Sequence, residues 1–152
     1  MSGFRGRSVA TAVLAIMALP VLAGPASAAS YAWTLTCRVG GDFPGAASAS
    51  WDWLQDGQVI EGAGGTAICG ESGGGDRPAN ANGIAASLTA TAFVVGGPLK
   101  SVTREVTKSF DPTDSFQLSL HASASSTGKF CFFGSCGPVQ HSSVHAAFTM
   151  TG

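Results

Sequence analysis

The chain has 152 residues, of which 45% are apolar, and a formal net charge of −1. Its eight Lys and Arg residues are scattered, and because nucleic-acid phosphates attract clustered cations, this composition argues against a nucleic-acid partner. It also argues against simple adhesion to anionic membranes.

The first 28 residues have the three parts of a secretory signal peptide. Arg5 and Arg7 are followed by an uncharged apolar run, residues 9–22, and then by the small side chains of Ala26-Ser27-Ala28. The run is shorter than the about 20 residues that span a bilayer. We therefore predict a signal peptide, residues 1–28, that is cleaved before Ala29 or one residue later.

Removal of this segment leaves six basic and nine acidic residues, a formal charge of −3. The remaining residues, 29–152, are predicted to form a single secreted, extracellular domain. The core of so small a domain has limited stability, and disulfides commonly supplement such a core outside the cell.

Apolar and polar residues alternate with a period of two through this domain, which indicates β-strands. Asp56-Gly57 is a strong hairpin turn, whereas the segment 70–83, rich in Gly, Asn and Pro, is predicted to be a long mobile loop. The predicted strands are residues 31–39, 46–54, 58–61, 86–95, 101–110, 116–125 and 139–150.

The three strands between residues 86 and 125 are predicted to form a meander. In the predicted register Ala90 lies opposite Val106, and Val106 lies opposite Leu120. Arg104 and Lys108 interrupt the apolar face of the middle strand. Inward-pointing charges are typical of an edge strand, and we favour that interpretation over one in which small alanines accommodate the aliphatic stem of Arg104.

The regular spacing of strands and turns indicates the fold class. Turn signals recur about every ten residues, and no convincing helical periodicity is present. The pattern predicts an all-β fold: an antiparallel β-sandwich (immunoglobulin-like) or a barrel of about 7–9 strands, stapled by two disulfides.

Four cysteines lie in the predicted mature domain and allow three connectivities. A tight turn at Phe133-Gly134 sets Cys131 opposite Cys136 on antiparallel strands, at a Cα separation that a disulfide accepts. The pairing Cys37–Cys69 follows by elimination. A type I′ turn requires a positive φ at Phe133, and a four-residue loop closed by the same bridge is the alternative. A zinc site is disfavoured because the paired Cys-x2-Cys knuckles are missing.

The short loop between Cys131 and Cys136, near the end of a small secreted β domain, is similar to that of the carrier proteins of enediyne antibiotics. Those carriers are immunoglobulin-like sandwiches, which is the fold that the resemblance implies. The likeness is limited to these two cysteines, because Cys37 and Cys69 are far wider apart than the other pair of that family. The chain is therefore not assigned to it.

Two pairs of aromatic residues are candidate binding sites. Trp51 and Trp53 share one face of their strand, where they could stack on sugar rings, although packing in the core is the favoured interpretation. Phe132 and Phe133 lie at the tip of the small disulfide loop, where they either fold back onto the core or contact a partner. This tip is the most promising position in the chain.

The segment Gly70-Glu71-Ser72-Gly73-Gly74 resembles the serine-nucleophile motifs of hydrolases. A hydrolase elbow needs a parallel α/β sheet, however, and a trypsin-like site needs its histidine before the serine. His121, His141 and His145 all follow the serine, and no neighbouring Asp or Glu completes a metal site. We therefore predict no catalytic residues, no metal and no cofactor.

The sequence as a whole favours a secreted, non-catalytic binding domain that recognises a protein or a glycan. The alternative is a secreted toxin or enzyme inhibitor that presents the same disulfide-braced loop. A small hydrolase is disfavoured because no acid, base and nucleophile are found in a suitable context.

Overall fold

The computed structural model describes residues 29–152, so the predicted signal peptide, residues 1–28, lies outside the described residues. The described residues form antiparallel β-strands, which confirms the predicted all-β fold, and contain no helix long and apolar enough to cross a membrane. In chain order the strands are β1 (Ser30–Gly41), β2 (Ala46–Gln55), β3 (Gln58–Val59), β4 (Gly65–Ile68), β5 (Ser72–Asp76), β6 (Gly83–Ala92), β7 (Lys100–Ser109), β8 (Gln117–Gly128), β9 (Cys131–Phe132), β10 (Ser135–Cys136) and β11 (Gln140–Thr151).

The long strands form two sheets. Sheet A has the order β5-β1-β11-β8, and sheet B has the order β3-β2-β6-β7. Strand β4 pairs with β2 on the same side as β3. Strands β9 and β10 form a separate two-stranded hairpin.

Apolar side chains alternate along the strands and point between the two sheets. In β8 every second residue from Leu118 to Ser126 is buried, and β6 shows the same alternation from Ile84 to Ala92. The buried residues of both sheets form one cluster, so the two sheets share one core, an arrangement consistent with the predicted sandwich or barrel. Ten of the buried residues are alanines, and therefore the few large side chains supply most of the buried apolar area.

The disulfide Cys37–Cys69 is formed, as predicted, and joins the two sheets covalently. Cys37 lies in β1 of sheet A, Cys69 directly follows β4 of sheet B, and their Cα atoms are 5.4 Å apart. The backbone N–H of Ala47 in β2 lies 3.2 Å from the sulfur of Cys69.

The segment 70–83 is not a loop throughout, contrary to the prediction, because its residues 72–76 form β5 at the edge of sheet A. Gly73 lies opposite Trp33, and Gly75 lies opposite Tyr31. A Cβ atom at Gly73 would lie 2.8 Å from the Trp33 ring, so the ring covers this glycine. Glycines that are covered by aromatic rings of the neighbouring strand can form an edge strand despite their low β propensity.

The predicted meander is only partly present. Strands β6 and β7 form a hairpin, but in a register shifted by four residues from the predicted one, with Ala90 opposite Val102 and Ala86 opposite Val106. The predicted pairing of β7 with residues 116–125 is wrong, because β8 pairs with β11 in the other sheet.

Strand β7 is the edge of sheet B, as the charges of Arg104 and Lys108 indicated. Both residues occupy inward positions of the strand, yet both side chains are exposed at the open side of the sheet. The Lys108 ammonium donates a hydrogen bond to the backbone carbonyl oxygen of Gln117. A lysine at this position discourages edge-to-edge pairing with another chain.

Arg77, which directly follows β5, is buried in spite of its charge. Its Nη2 atom donates hydrogen bonds to the carbonyl oxygens of Pro112 (2.7 Å) and Asp114 (2.6 Å). Its guanidinium carbon lies 4.9 Å from the centre of the Phe110 ring and 5.6 Å from that of Phe116. The side chain therefore ties the β7–β8 connection, which crosses from one sheet to the other, to the body of the domain.

We predict that Arg77→Ala lowers the free energy of unfolding by about 2–4 kcal/mol, because it leaves two backbone carbonyls without their donor and removes the packing on both rings. Arg104→Ala removes the same charge from an exposed position and should change stability by less than about 0.5 kcal/mol. Urea unfolding followed by tryptophan fluorescence measures both values. Equal effects of the two substitutions would contradict the structural role of Arg77.

Candidate binding surface

The hairpin β9–β10 is closed by the predicted disulfide Cys131–Cys136. Cys131 lies directly opposite Cys136, and Phe132 lies opposite Ser135. The turn between them has φ values of 49° at Phe133 and 77° at Gly134, which is the backbone of a type I′ turn. The tight turn, rather than the four-residue loop, is therefore the observed geometry.

Three phenylalanines project from this hairpin, and we call them the Phe tip: Phe130, Phe132 and Phe133. Their side chains are 55%, 62% and 92% exposed. The rings contact one another: Phe132 lies parallel to Phe130 at a centroid distance of 6.4 Å and edge-on to Phe133 at 4.3 Å. The Phe tip therefore packs on itself and not on the core.

The connection between β6 and β7, residues 93–99, lies against the base of the hairpin. A Cβ atom at Gly96 would lie 2.3 Å from the carbonyl oxygen of Lys129, so the two backbones are in direct contact. This connection also exposes large apolar side chains. Ten large hydrophobic residues are exposed among residues 29–152, and seven of them lie in the segments 93–99 and 129–139: Phe93, Val95, Leu99, Phe130, Phe132, Phe133 and Val139.

Two buried serines hold the β6–β7 connection in place. Ser126 of β8 and Ser142 of β11 lie opposite each other at the end of sheet A. The Ser126 hydroxyl donates a hydrogen bond to the carbonyl oxygen of Pro98, and the backbone N–H of Phe93 donates to the Ser142 hydroxyl at 3.3 Å. Because both ends of the connection are anchored, the apolar residues between them are presented on a fixed backbone.

Trp51 and Trp53 lie in the core and not on the surface. Their side chains are 4% and 1% exposed, and they pack against Phe148 of sheet A and Phe116 beside it. A stacked sugar would need an exposed ring face, so we leave both tryptophans out of the candidate surface.

The residues of the serine motif and the histidines lie apart. Ser72 pairs with Thr34 at the β5 edge of sheet A, whereas His121 lies on β8, with β1 and β11 between them. The Glu71 carboxylate accepts a hydrogen bond from the backbone N–H of Ile68 at 2.9 Å. Among residues 29–152 no group of three or more His, Cys, Asp or Glu side chains is placed to hold a metal ion.

The sequence analysis found Phe132 and Phe133 but missed the apolar residues of the β6–β7 connection. Phe93 and Val95 fall at the end of the predicted strand 86–95, and Leu99 falls between that strand and the predicted strand 101–110. A signal was present, since large apolar residues on both sides of Gly96-Gly97-Pro98 are unusual for a solvent-exposed turn.

Comparison of the chain with protein-family models, with curated proteins and with solved structures finds no match in any of the three.

The two disulfides should contribute differently to stability, because they close loops of different length. In the chain-entropy description, removing the bridge between Cys37 and Cys69, 32 residues apart, costs about 4 kcal/mol. Removing the bridge between Cys131 and Cys136, 5 residues apart, costs about 2 kcal/mol. Urea unfolding of the two double Cys→Ser variants tests this order, and a larger loss for the short loop would contradict it.

Proposed function

We propose that this chain is a secreted, non-catalytic binding domain that inserts the Phe tip into an apolar pocket of a partner protein. The observation that supports this most directly is Phe133, which is 92% exposed and has a positive φ. Neither property benefits the fold, because the exposed ring buries little area and L residues with a side chain are strained in this conformation.

The turn itself would be better served by another residue. Asn or Gly adopts positive φ with less strain and is the usual choice at this position of a type I′ turn. Asp56-Gly57, the two-residue turn between β2 and β3, follows that preference with φ values of 50° and 79°. A phenylalanine in the equivalent place at Phe133-Gly134 is therefore best explained by a contact outside the domain.

The shape of the Phe tip favours a protein pocket over a glycan. The rings of Phe130 and Phe133 both contact Phe132, and Phe133 meets it edge-on, so the three rings form an angled apolar protrusion and not a single flat platform. Exposed large apolar residues at such density mark interaction sites. Aromatic anchors that fill a pocket are typical of the residues that dominate protein–protein affinity.

The surroundings of the Phe tip reduce the entropic cost of binding. The disulfide Cys131–Cys136 restricts the hairpin, and the hydrogen bond from the backbone N–H of Gly137 to the carbonyl oxygen of Phe130 (2.9 Å) continues its pairing beyond the bridge. Rigidity in the bound conformation raises affinity because less freedom is lost on association.

Secretion is part of the proposal. The two intramolecular disulfides are typical of extracellular proteins. The basic residues and the later small residues among the first 28 residues fit the export signal that a secreted protein needs.

The proposal predicts opposite effects of one substitution on stability and on binding. Phe133→Asn should leave the free energy of unfolding unchanged or raise it by up to about 1 kcal/mol, because Asn relieves the backbone strain. The same variant, and the double variant Phe132→Ser/Phe133→Ser, should lose at least tenfold in affinity for partner proteins captured from culture or host extracts and then purified. Urea unfolding and titration calorimetry measure the two quantities.

Ile68→Ser is the matched control, since Ile68 is 59% exposed but lies in β4, outside the Phe tip and the β6–β7 connection. It should bind as the wild type does. Destabilisation of the double variant by more than about 2 kcal/mol would assign the rings to the core. Partners that bind both Phe variants with unchanged affinity would remove the Phe tip as the site. If the wild-type domain binds vesicles of neutral lipid and the Phe variants lose that binding, the partner is a membrane and not a protein.

A further inference from the structure

On β1, β11 and β8 the outer face of sheet A is polar, and its charge comes from one arginine. The outward side chains of these three strands are small or hydroxylated, apart from one glutamine, one arginine and three histidines. In rows across β1, β11 and β8 they are Ala32, Thr151, Gln117; Thr34, Thr149, Ser119; Thr36, Ala147, His121; Arg38, His145, Ser123; and Gly40, Ser143, Ser125, with His141 beyond them opposite Thr127.

No Asp or Glu is among these outward residues, although the acidic residues of the chain outnumber the basic ones. Two carboxylates border this face: Asp76 lies at the far end of β5 opposite Ser30, and Asp42 accepts a hydrogen bond from the backbone N–H of His141 at 3.0 Å. The outer face of sheet B is equally rich in Ser and Thr, but its charged residues are Asp52 and Glu105. The charge on β1, β11 and β8 is therefore opposite in sign to the charge on the outer face of sheet B.

A depression lies at the centre of the positive face. Its floor is the small side chain of Ala147, which is flanked by Thr36 on β1 and His121 on β8. Arg38 and His145 occupy the next row and complete its wall. The volume of the depression, about 560 Å³, lies within the range of small-ligand sites.

The polar groups of the wall are partly fixed by hydrogen bonds within the sheet. The Nδ1 atom of His145 lies 2.7 Å from the hydroxyl of Ser123, which orients the imidazole and leaves its Nε2 for a ligand. The Nε2 atom of His121 lies 3.3 Å from the hydroxyl of Ser119, which leaves its Nδ1. Arg38 is exposed and adds a guanidinium, whose fork of N–H groups matches sulfate and carboxylate oxygens.

We propose that this depression binds an anionic saccharide, one that carries sulfate or carboxylate groups. Arg38, His121 and His145 bind the anionic group, and the hydroxyls of Thr36 and Ser123 donate to and accept from the sugar hydroxyls. Nucleic acid is a poorer match, because its closely spaced phosphates attract clustered Lys and Arg and this face has a single arginine. The inference does not depend on the Phe tip, which lies on a different part of the domain.

The test uses the mature domain, residues 29–152, with dextran sulfate oligosaccharides, neutral dextran oligosaccharides and inorganic sulfate as probes. We expect dextran sulfate alone to bind measurably, with chemical-shift changes at the imidazoles of His121 and His145. Arg38→Gln should weaken this binding at least tenfold. Arg104→Gln removes the same unit of charge from the edge of sheet B and should change binding by less than twofold.

A second variant tests the two histidines. His121→Gln/His145→Gln should weaken the binding of dextran sulfate at least threefold at a fixed pH, and unchanged affinity would remove the imidazoles from the site.

Equal losses with Arg38→Gln and Arg104→Gln would overturn the site in favour of non-specific attraction. Binding of inorganic sulfate as tight as that of the oligosaccharide would overturn the saccharide, and so would equal binding of neutral dextran. The double variant Phe132→Ser/Phe133→Ser should bind dextran sulfate as the wild type does. Binding of dextran sulfate therefore tests the saccharide site independently of whether the Phe tip binds a protein.

Discussion

Aromatic packing between the two sheets is the interaction on which the rest of the structure depends. The ring of Trp51 in sheet B stacks on Phe148 of sheet A at a centroid distance of 5.7 Å, and Trp33 approaches Trp51 at 5.4 Å. Toward the Phe tip the facing residues are mostly alanines, such as Ala90 and Ala92, which bury much less apolar area. The packed aromatic residues hold the two sheets together at one end of the domain. The opposite end, whose core consists mostly of alanines, can therefore carry the exposed phenylalanines of the Phe tip.

The aromatic rings also explain the glycine-rich edges of both sheets. Trp51 covers Gly65 of β4, in the same way as Trp33 covers Gly73 of β5, and a Cβ atom at either glycine would lie within 2.8 Å of the ring. Each ring lies over the backbone of a neighbouring strand that has no side chain at that place. The edge strands are thus ordered by side chains that belong to the central strands, and this arrangement shields part of the edge backbone from other chains.

The fold class, the strands at 31–39 and 46–54 and both disulfides could be predicted from the sequence, because alternation, turn residues and cysteine spacing are local signals. Strand β5 could not, because its glycines signal a loop unless the covering rings of β1 are known. The predicted meander is wrong for a related reason. Apolar and polar residues alternate along β8 in the same way whether β8 pairs with β7 or with β11, so this pattern does not distinguish the two pairings. At the candidate site, Phe132 and Phe133 were found from the spacing of two cysteines, whereas the β6–β7 connection joins them only through the tertiary contact at Gly96.

The hairpin that bears the Phe tip is separate from the ladder of sheet A. Strands β8 and β11 complete their pairing at Gly128 and Gln140, and β9 pairs only with β10. The eleven residues between Gly128 and Gln140 therefore form a separate unit. Its sequence and length can vary without moving the register of the long strands. A change of sequence or length within residues 129–139 therefore leaves the ladder of sheet A and the aromatic packing between the sheets in place.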